Sequence, residues 1–149
     1  MIIDGLLQFD PALSAITATR ASTNVIDLLN ARDIGGSMSP AMWLAVGVNA
    51  AFTAAGAGTL VIQMQNSVDN ITYTTEGETR ALSIADLTPI GRLMIASWPY
   101  RVAADALPRY LRLNYVVATG PFTAGSLNAQ LVLDAQQYSQ YPAGINITN

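Results

Sequence analysis

Three stretches of this sequence alternate apolar and polar side chains with a period of two residues. They run over residues 59–65, 111–117 and 127–133. Because successive side chains of a β-strand point to opposite faces of a sheet, this alternation is typical of antiparallel strands with one face buried and one face in solvent. The pattern predicts strands in all three stretches. The residues predicted to point into the core are Leu60, Ile62, Met64, Leu111, Leu113, Leu131 and Leu133.

Weaker strand signals fill the intervals between these stretches. They cover residues 23–29, 42–49, 71–75, 79–84 and 92–97, and most are bounded by glycine, proline or asparagine. Together the segments make about eight strands, the number expected of a jelly roll. No amphipathic helix of ten residues with cap signals is present, although residues 99–107 have room for one short helical turn. The predicted fold class is an all-β, antiparallel sandwich of jelly-roll type.

The two ends of the chain differ in composition from its middle. A length of 149 residues suits a single domain. Within it we predict an N-terminal arm over residues 1–20, a β-sandwich over residues 21–134 and a C-terminal tail over residues 135–149. The arm and the tail carry apolar anchors, such as Phe9 and Tyr138, between polar or turn residues. We expect both ends to lie over neighbouring molecules.

A low content of charge indicates how the protein assembles. Charged residues make up 11% of the chain and hydrophobic residues 51%. No apolar stretch reaches the roughly 20 residues of a spanning helix, and the first residues lack the basic start of a signal peptide. The surplus apolar surface therefore predicts a subunit interface, and we expect a homotrimer with closed symmetry. A net charge of −3 disfavours nucleic acid as a partner, and we expect no membrane partner.

Cysteine, histidine and lysine are absent from the sequence, and all seven basic residues are arginine. These absences exclude disulfides, thiolate and imidazole metal sites, a Ser-His-Asp triad and a lysine Schiff base. We therefore expect a protein that is not an enzyme and that uses neither a cofactor nor a metal.

Three weak site patterns each have an ordinary structural explanation, which we favour. Oxygen ligands around residues 66–78 suggest calcium, but their spacing does not match an EF-hand. A carboxylate pair would suit a glycosidase, and aromatic side chains would suit a sugar-binding platform. The residues concerned are Asn66, Asp69, Asn70, Glu76 and Glu78 for calcium, Glu76 with Glu78 or Asp105 for the pair, and Trp43, Trp98, Tyr100 and Tyr110 for the platform.

Arginines near Pro108 are the best candidates for contacts with a partner. Arg101, Arg109 and Arg112 lie within twelve positions of one another. The planar, weakly hydrated guanidinium suits bidentate pairing across interfaces, whereas surface salt bridges are the ordinary alternative. The predicted interface residues are Arg109, Tyr110, Arg112, Tyr138 and Tyr141.

Four segments of the chain resemble a known family in their order and spacing. They read ASTNVIDL from Ala21, AFTAAGAGTL from Ala51, LPRYLRLNY from Leu107 and FTAGSL from Phe122. Together they resemble the small cement, or decoration, proteins of tailed phages, of the kind found on the Bordetella phage capsid. The resemblance covers residues 20–136 and is weaker at both ends.

This resemblance implies a jelly-roll subunit that assembles as trimers on the outside of an icosahedral phage head. Such trimers sit over junctions between major capsid proteins, so the protein would be made in the host cytoplasm and end on the outer capsid surface of the virion. The family offers no catalytic residue to carry over. The alternative is a carbohydrate- or receptor-binding β-sandwich of a virion, followed by a head–tail or fibre module and, more remotely, a small hydrolase.

Overall fold

A computed structural model describes residues 5–11, 14–32, 34, 42–99 and 106–133 of the chain. Within these residues nearly all regular structure is β-strand. The strands are β1 (Gln8–Pro11), β2 (Arg20–Ala21), β3 (Ile26–Asp27), β4 (Trp43–Ala54), β5 (Thr59–Ser67), β6 (Thr74–Glu78), β7 (Leu82–Ser83), β8 (Gly91–Ser97), β9 (Tyr110–Ala118) and β10 (Phe122–Val132). The helical elements are a 3₁₀ turn (Gly5–Leu7) and the helix α1 (Ile84–Leu87). Among the described residues, no helix has the length and hydropathy needed to cross a membrane.

Two antiparallel sheets contain these strands. The four-stranded sheet has the order β1-β10-β4-β8, and the six-stranded sheet has the order β2-β9-β5-β6 with β3 on β9 and β7 on β5. One cluster of buried apolar side chains joins the inner faces of the two sheets. The all-β, antiparallel class predicted from the sequence is confirmed, with ten described strands in place of eight. Jelly-roll connectivity remains a prediction.

The period-two alternation located the core correctly with one exception. Six of the seven predicted inward residues are buried, whereas Leu133 is 60% exposed. The prediction for Leu133 was wrong because β10 ends at Val132, opposite Trp43 at the start of β4. The chain has left the sheet one residue before Leu133, so the alternation no longer determines where its side chain points.

Residues 8–11 and 14–20 belong to the sandwich and do not form a free arm. Strand β1 pairs with β10, placing Gln8 opposite Gln130. Phe9 is fully buried and stacks on Trp98 at a ring-centroid distance of 5.9 Å. Ile16 is also fully buried. The predicted N-terminal arm is therefore wrong over its described part, because its apolar side chains complete the core of this same chain. Residues 134–149, including Tyr138 and Tyr141, lie outside the described residues.

Several strand limits also differ from the prediction. Strand β4 continues to Ala54 because β10 continues beside it. Strand β6 begins at Thr74, three residues later than predicted, and includes Glu76 and Glu78, which lie between the predicted strands over residues 71–75 and 79–84. Within residues 23–29 only β3 is a strand. The predicted helical turn falls mostly on residues 100–105, outside the described part, and residues 106–108 are not helical.

Of the strand predicted over residues 79–84 only Leu82–Ser83 forms a strand, and a helix begins at Ile84. Helix α1 follows the two-residue strand β7 and begins at a capping box. The Ser83 hydroxyl accepts from the Asp86 backbone N–H at 3.4 Å, and the Asp86 carboxylate accepts from the Ser83 backbone N–H at 2.8 Å. This reciprocal pair satisfies two N–H groups that a helix start otherwise leaves free.

Candidate interaction surface

One end of the sandwich exposes an unusual number of large apolar side chains. Leu29, Val68, Ile71 and Leu107 lie in the connections where β5 ends and β9 begins, and we call this set the apolar tip. Ile71 is 82% exposed and Leu29 is 72% exposed, while Val68 and Leu107 are each about half exposed. Half of the large exposed hydrophobic residues in the described part of the chain thus lie at this end. Large apolar side chains exposed together at one end of a domain are candidates for an interaction site.

Backbone hydrogen bonds hold the connections of the apolar tip together. The Arg109 N–H donates to the Ser67 carbonyl at 3.0 Å, which joins the segment of Leu107 to that of Val68. The Arg109 carbonyl in turn accepts from the Leu28 N–H at 2.8 Å, which brings in Leu29. Three chain segments distant in sequence therefore meet around Arg109, the residue that precedes β9.

The turn that carries Ile71 is built from side-chain hydrogen bonds to its own backbone. The Ser67 hydroxyl accepts from the Asn70 N–H at 2.9 Å, and Asp69 Oδ1 accepts from the N–H groups of Ile71 and Thr72, both at 2.9 Å. These backbone N–H groups, followed by the Ser67 hydroxyl, hold the pKa of Asp69 below its ordinary value. At neutral pH the carboxylate is therefore charged and the turn is fixed.

Asn70 and Tyr73 complete this turn. Asn70 has a φ of 62°, in the left-handed region that asparagine tolerates better than most residues. The Tyr73 hydroxyl donates to the Asn70 side-chain oxygen. The turn thus presents Ile71 on a preformed support, and a group fixed before binding loses less conformational entropy when a partner covers it.

Arg109, a predicted interface residue, makes an ion pair within the chain. Its Nε and Nη2 donate to the two carboxylate oxygens of Asp27, each at 2.8 Å. The hydrogen bond from Arg109 holds the pKa of Asp27 below its ordinary value. Asp27 Oδ1 also accepts from the Leu29 N–H at 2.8 Å. Arg109 therefore supports the backbone of the apolar tip, and its use toward a partner remains a prediction.

Arg112, the second predicted arginine, lies on the outer face of the six-stranded sheet. Its guanidinium carbon is 3.6 Å from the centroid of the Tyr73 ring, and its Nε donates to Gln65 Oε1 at 2.8 Å. Gln65 Nε2 in turn donates to the Thr75 hydroxyl at 3.1 Å. Arg112, Gln65 and Thr75 thus form a row of hydrogen-bonded side chains across β9, β5 and β6. Burial raises the pKa of Tyr73, and the charge of Arg112 opposes part of that rise.

The outer face of this sheet is polar, and its charged side chains include Arg112 and Glu78. A second row runs from Asn114, whose amide donates to Gln63 at 2.8 Å, to Glu78, which accepts from Gln63 at 3.0 Å. Tyr110, another predicted interface residue, lies under the guanidinium of Arg109 at 5.0 Å. The side chains of this face are already hydrogen-bonded to one another, which suits contact with a protein surface.

Three of the five residues in the calcium pattern, Asn66, Asp69 and Glu76, line one groove, but only two of these are carboxylates. A groove of about 530 Å³ opens beside the apolar tip. Its lining residues are Asn66, Ser67, Val68, Asp69, Thr72, Thr74, Thr75, Glu76 and Ala106. The carboxylate of Asp69 is occupied by the turn that it stabilises. No group of three or more acidic residues lies close enough to hold a metal among the described residues.

The aromatic and carboxylate patterns are also dispersed. Trp98 is buried against Phe9 in the core, so it cannot line a sugar-binding platform. Trp43 is half-buried at the start of β4, and Tyr110 lies on the opposite sheet. Glu78 is bonded to Gln63. Tyr100, Arg101 and Asp105 lie outside the described residues.

The sequence patterns missed the apolar tip itself. Val68 and Ile71 flank Asp69 and Asn70, which are turn-forming residues. The available signal was an apolar β-branched residue on each side of a turn, but Ile71 was assigned to the strand predicted over residues 71–75.

Comparison with known proteins places the chain among phage proteins. The sequence model of the Bbp16 family matches residues 12–131, which is most of the chain. The name of that family is that of a Bordetella phage protein. No curated protein matches the chain.

Proposed function

Since this chain belongs to the Bbp16 family, we propose that it is a structural protein of a phage virion, acting as a cement protein of the head. It binds as a homotrimer to the outer surface of the capsid and stabilises contacts between major capsid proteins. It performs this role without catalysis and without a cofactor.

The apolar tip is the observation that carries this proposal. Four large apolar side chains remain in water on a domain that already has a complete core. Burying each of them against a partner would contribute roughly 1.5–3 kcal/mol. The outer face of the six-stranded sheet adds polar area, on which the charged side chains of Arg112 and Glu78 are already hydrogen-bonded to Gln65 and Gln63.

Repetition over the head makes modest contacts sufficient. A trimer that touches several capsid subunits binds multivalently, so its avidity exceeds the affinity of any one contact. A ligand that binds the assembled shell but not its free subunits stabilises the shell by mass action. A cement protein therefore needs complementary area and a high copy number.

The decisive experiment measures copy number and head stability together. Heads that lack the protein are mixed with the purified chain, and the bound copies are counted by quantitative mass spectrometry while the melting temperature of the heads is recorded. We expect saturation at hundreds of copies and a higher melting temperature. A few copies per particle would indicate a fibre or receptor-binding module, and no binding to heads would contradict the proposal.

The oligomeric state provides a separate test. We expect light scattering to give the mass of a trimer for the purified chain. A stable monomer at micromolar concentration would contradict the trimer, although it would leave the binding to heads open to the first experiment.

The C-terminal tail is the remaining part of the proposal. Residues 136–149 contain Tyr138, Tyr141 and Ile145 and no charged side chain. Fixing each residue costs about 1–2 kcal/mol in backbone entropy, so only burial of such anchors would favour docking. We expect deletion of residues 136–149 to lower occupancy on heads. Unchanged occupancy and unchanged head melting temperature would show that the tail has no part in binding.

A further inference from the structure

The four-stranded sheet has an open edge at strand β8. This strand contains seven residues and pairs with β4 on one side. On its other side, the described part of the chain contributes no strand. The N–H and C=O groups along such an edge have no partner within the sheet, so they form a template for one more strand.

The other borders of the two sheets are protected. On β1, the backbone N–H and the side-chain amide of Asn24 donate to the carbonyls of Phe9 and Gln8, at 2.9 and 3.1 Å. Strand β6 has a register shift against β5 and carries Glu76 and Glu78. Strands β2 and β3, on the far side of β9, contain two residues each. Covered backbone, register shifts, charged side chains and short strands all hinder the addition of a further strand.

The second half of β8 lacks such protection. Residues 94–97 pair with β4 without a register shift and carry no charged side chain. The Trp98 N–H donates to the Met42 carbonyl at 3.0 Å, so these two residues form a hydrogen-bonded pair. Because bonded and non-bonded pairs alternate along antiparallel strands, the N–H and C=O groups of Ile95 and Ser97 point away from β4.

This open edge lies at the same end of the sandwich as the apolar tip. Ser97 pairs with Trp43, the first residue of β4. Residues 55–58 connect the end of β4 directly to the start of β5, so the chain reverses there and the start of β4 lies toward the end of β5. Strand β5 ends at Ser67, whose carbonyl accepts from the Arg109 N–H at the apolar tip. A single partner surface can therefore reach both the tip and the edge.

We propose that the open edge of β8 binds an extended segment of the capsid protein, which adds to the four-stranded sheet as a fifth strand. The N–H and C=O groups of Ile95 and Ser97 form the backbone hydrogen bonds to this segment. A polypeptide backbone carries donors and acceptors that repeat with the spacing of a strand, so the edge itself identifies the partner as an extended chain. This inference rests on the proposed role of the chain as a cement protein.

The charge beside the open edge narrows the kind of segment. Arg92 is exposed on β8, and in the part of the chain that the structure describes no carboxylate pairs with it. Opposite charges on neighbouring strands stabilise their pairing, whereas like charges weaken it. A segment with an aspartate or a glutamate near Arg92 is therefore favoured over a basic segment.

Symmetry argues against a second copy of the chain as the occupant. Two β8 edges that pair antiparallel with each other are related by a two-fold axis and form a dimer. The proposed trimer has a three-fold axis, which joins two different surfaces of the chain at each contact. Since the other borders of the sheets are protected, β8 finds no matching edge within the trimer and stays available to the capsid protein.

Hydrogen exchange on the wild-type chain tests the proposal without any substitution. We expect the amides of Ile95 and Ser97 to exchange fast in the purified chain, because they point away from β4, and to be protected once the chain is bound to undecorated heads. Mass spectrometry with fragmentation to single residues measures both states. Protection already present in the purified chain would assign the edge to contacts within or between copies and overturn the proposal. Fast exchange on decorated heads would also overturn it.

Proline substitution tests the same hydrogen bonds by affinity. Ile95→Pro removes an outward N–H, and proline is tolerated on edge strands where the N–H faces solvent. We expect its affinity for undecorated heads to fall by about tenfold or more. Ile95→Val keeps the N–H and should lower the affinity less. Ala96→Pro, at the neighbouring position whose N–H faces β4, should lower the melting temperature of the chain more than Ile95→Pro does, which checks the register.

The outcomes separate this inference from the cement role itself. If Ile95→Pro does not fold, Ser97→Pro makes the same test at the next outward position. A folded proline variant that binds heads with wild-type affinity would overturn the open edge as a binding site and leave the cement role intact. Heads that bind no wild-type chain would contradict both proposals.

Discussion

The guanidinium of Arg112 lies flat enough on the ring of Tyr73 to bring its central carbon within 3.6 Å of the ring centroid. Arg112 belongs to β9, whereas Tyr73 ends the turn that displays Ile71. The stack therefore connects the turn that carries Ile71 to strand β9 in the six-stranded sheet. Because Arg112 also donates to Gln65 of β5, its position is fixed from two directions.

Replacing this arginine by lysine should loosen the turn. Arg112→Lys keeps the charge but cannot stack a planar group on Tyr73 while donating to Gln65. We expect a loss of about 1 kcal/mol in the free energy of unfolding. Hydrogen exchange at the Ile71 and Thr72 amides should accelerate. The control is Arg92→Lys on β8, where the side chain is exposed, and equal exchange rates in both variants would contradict the role of the stack.

The assignment of core residues from the period-two alternation can be tested at one position that it placed correctly and at the one that it placed wrongly. Leu113→Ala removes a fully buried side chain and should lower the free energy of unfolding by roughly 2–5 kcal/mol. Leu133→Ala, at the position that the alternation misassigned, should change it by less than about 0.5 kcal/mol. Urea denaturation of both variants measures the difference. Similar losses would mean that Leu133 is buried in solution.

The sequence predicted those parts of the fold in which local pattern and burial coincide. Strand β9 and the first six residues of β5 alternate buried with partly exposed side chains, so period two alone locates their inward residues. The alternation fails to locate buried residues where a side chain is buried for a reason other than its apolar character. Gln130 shows this. It lies between the core residues Ala129 and Leu131, at a position that the alternation assigns to solvent, yet its side chain is completely buried.

The remaining features depend on contacts between distant segments. Phe9 looked like an anchor on a free arm because its stacking partner, Trp98, is far away in sequence. Arg109 looked free because Asp27 lies on another strand. The apolar tip likewise forms only when three segments meet around Arg109. The helix α1 was a local feature, but its Ser83–Asp86 capping box is followed by too few residues to show helical periodicity.

A glycine in β10 marks the tightest approach within the core. Gly125 has a φ of 135°, and a β-carbon there would lie 2.3 Å from Cγ of Phe52. Gly125→Ala combines backbone strain with this clash and should cost more than about 4 kcal/mol or prevent folding. Gly120→Ala is the control, since its φ is 114° but its surroundings are open. Strain alone should cost about 1–3 kcal/mol there. Equal melting temperatures for the two variants would contradict the packing at Phe52.

Acid should weaken the fold through carboxylates that are hydrogen-bonded in the native state. The pKa values of Asp27, Asp69 and Asp86 all lie below their ordinary range, chiefly because of hydrogen bonds from Arg109, from backbone N–H groups and from Arg80, respectively. A lowered pKa in the folded state stabilises it above the unfolded pKa of about 4, and this contribution is lost as the pH falls through the folded values. Thermal unfolding should therefore shift to lower temperature under acid conditions.

Asp69→Asn separates one of these contributions from the others. The amide oxygen can still accept hydrogen bonds but no longer titrates. We expect the variant to lose less stability than the wild-type chain between neutral pH and about pH 3. Identical acid dependence would show that Asp69 does not contribute to it.

The apolar tip makes the sharpest prediction about function. Ile71→Ser removes its most exposed apolar side chain without touching the core, so the free energy of unfolding should change by less than about 0.5 kcal/mol. If Ile71 is buried against a capsid protein, the variant loses roughly 1.5–3 kcal/mol of binding at each contact, a fall of about 10- to 100-fold in affinity. Titration of undecorated heads, with bound protein measured by sedimentation, gives that affinity. Ile90→Ser is the matched control, because Ile90 is 70% exposed at the start of β8, away from the apolar tip. Equal affinities for both variants and the wild-type chain would exclude the tip as the surface that contacts the head.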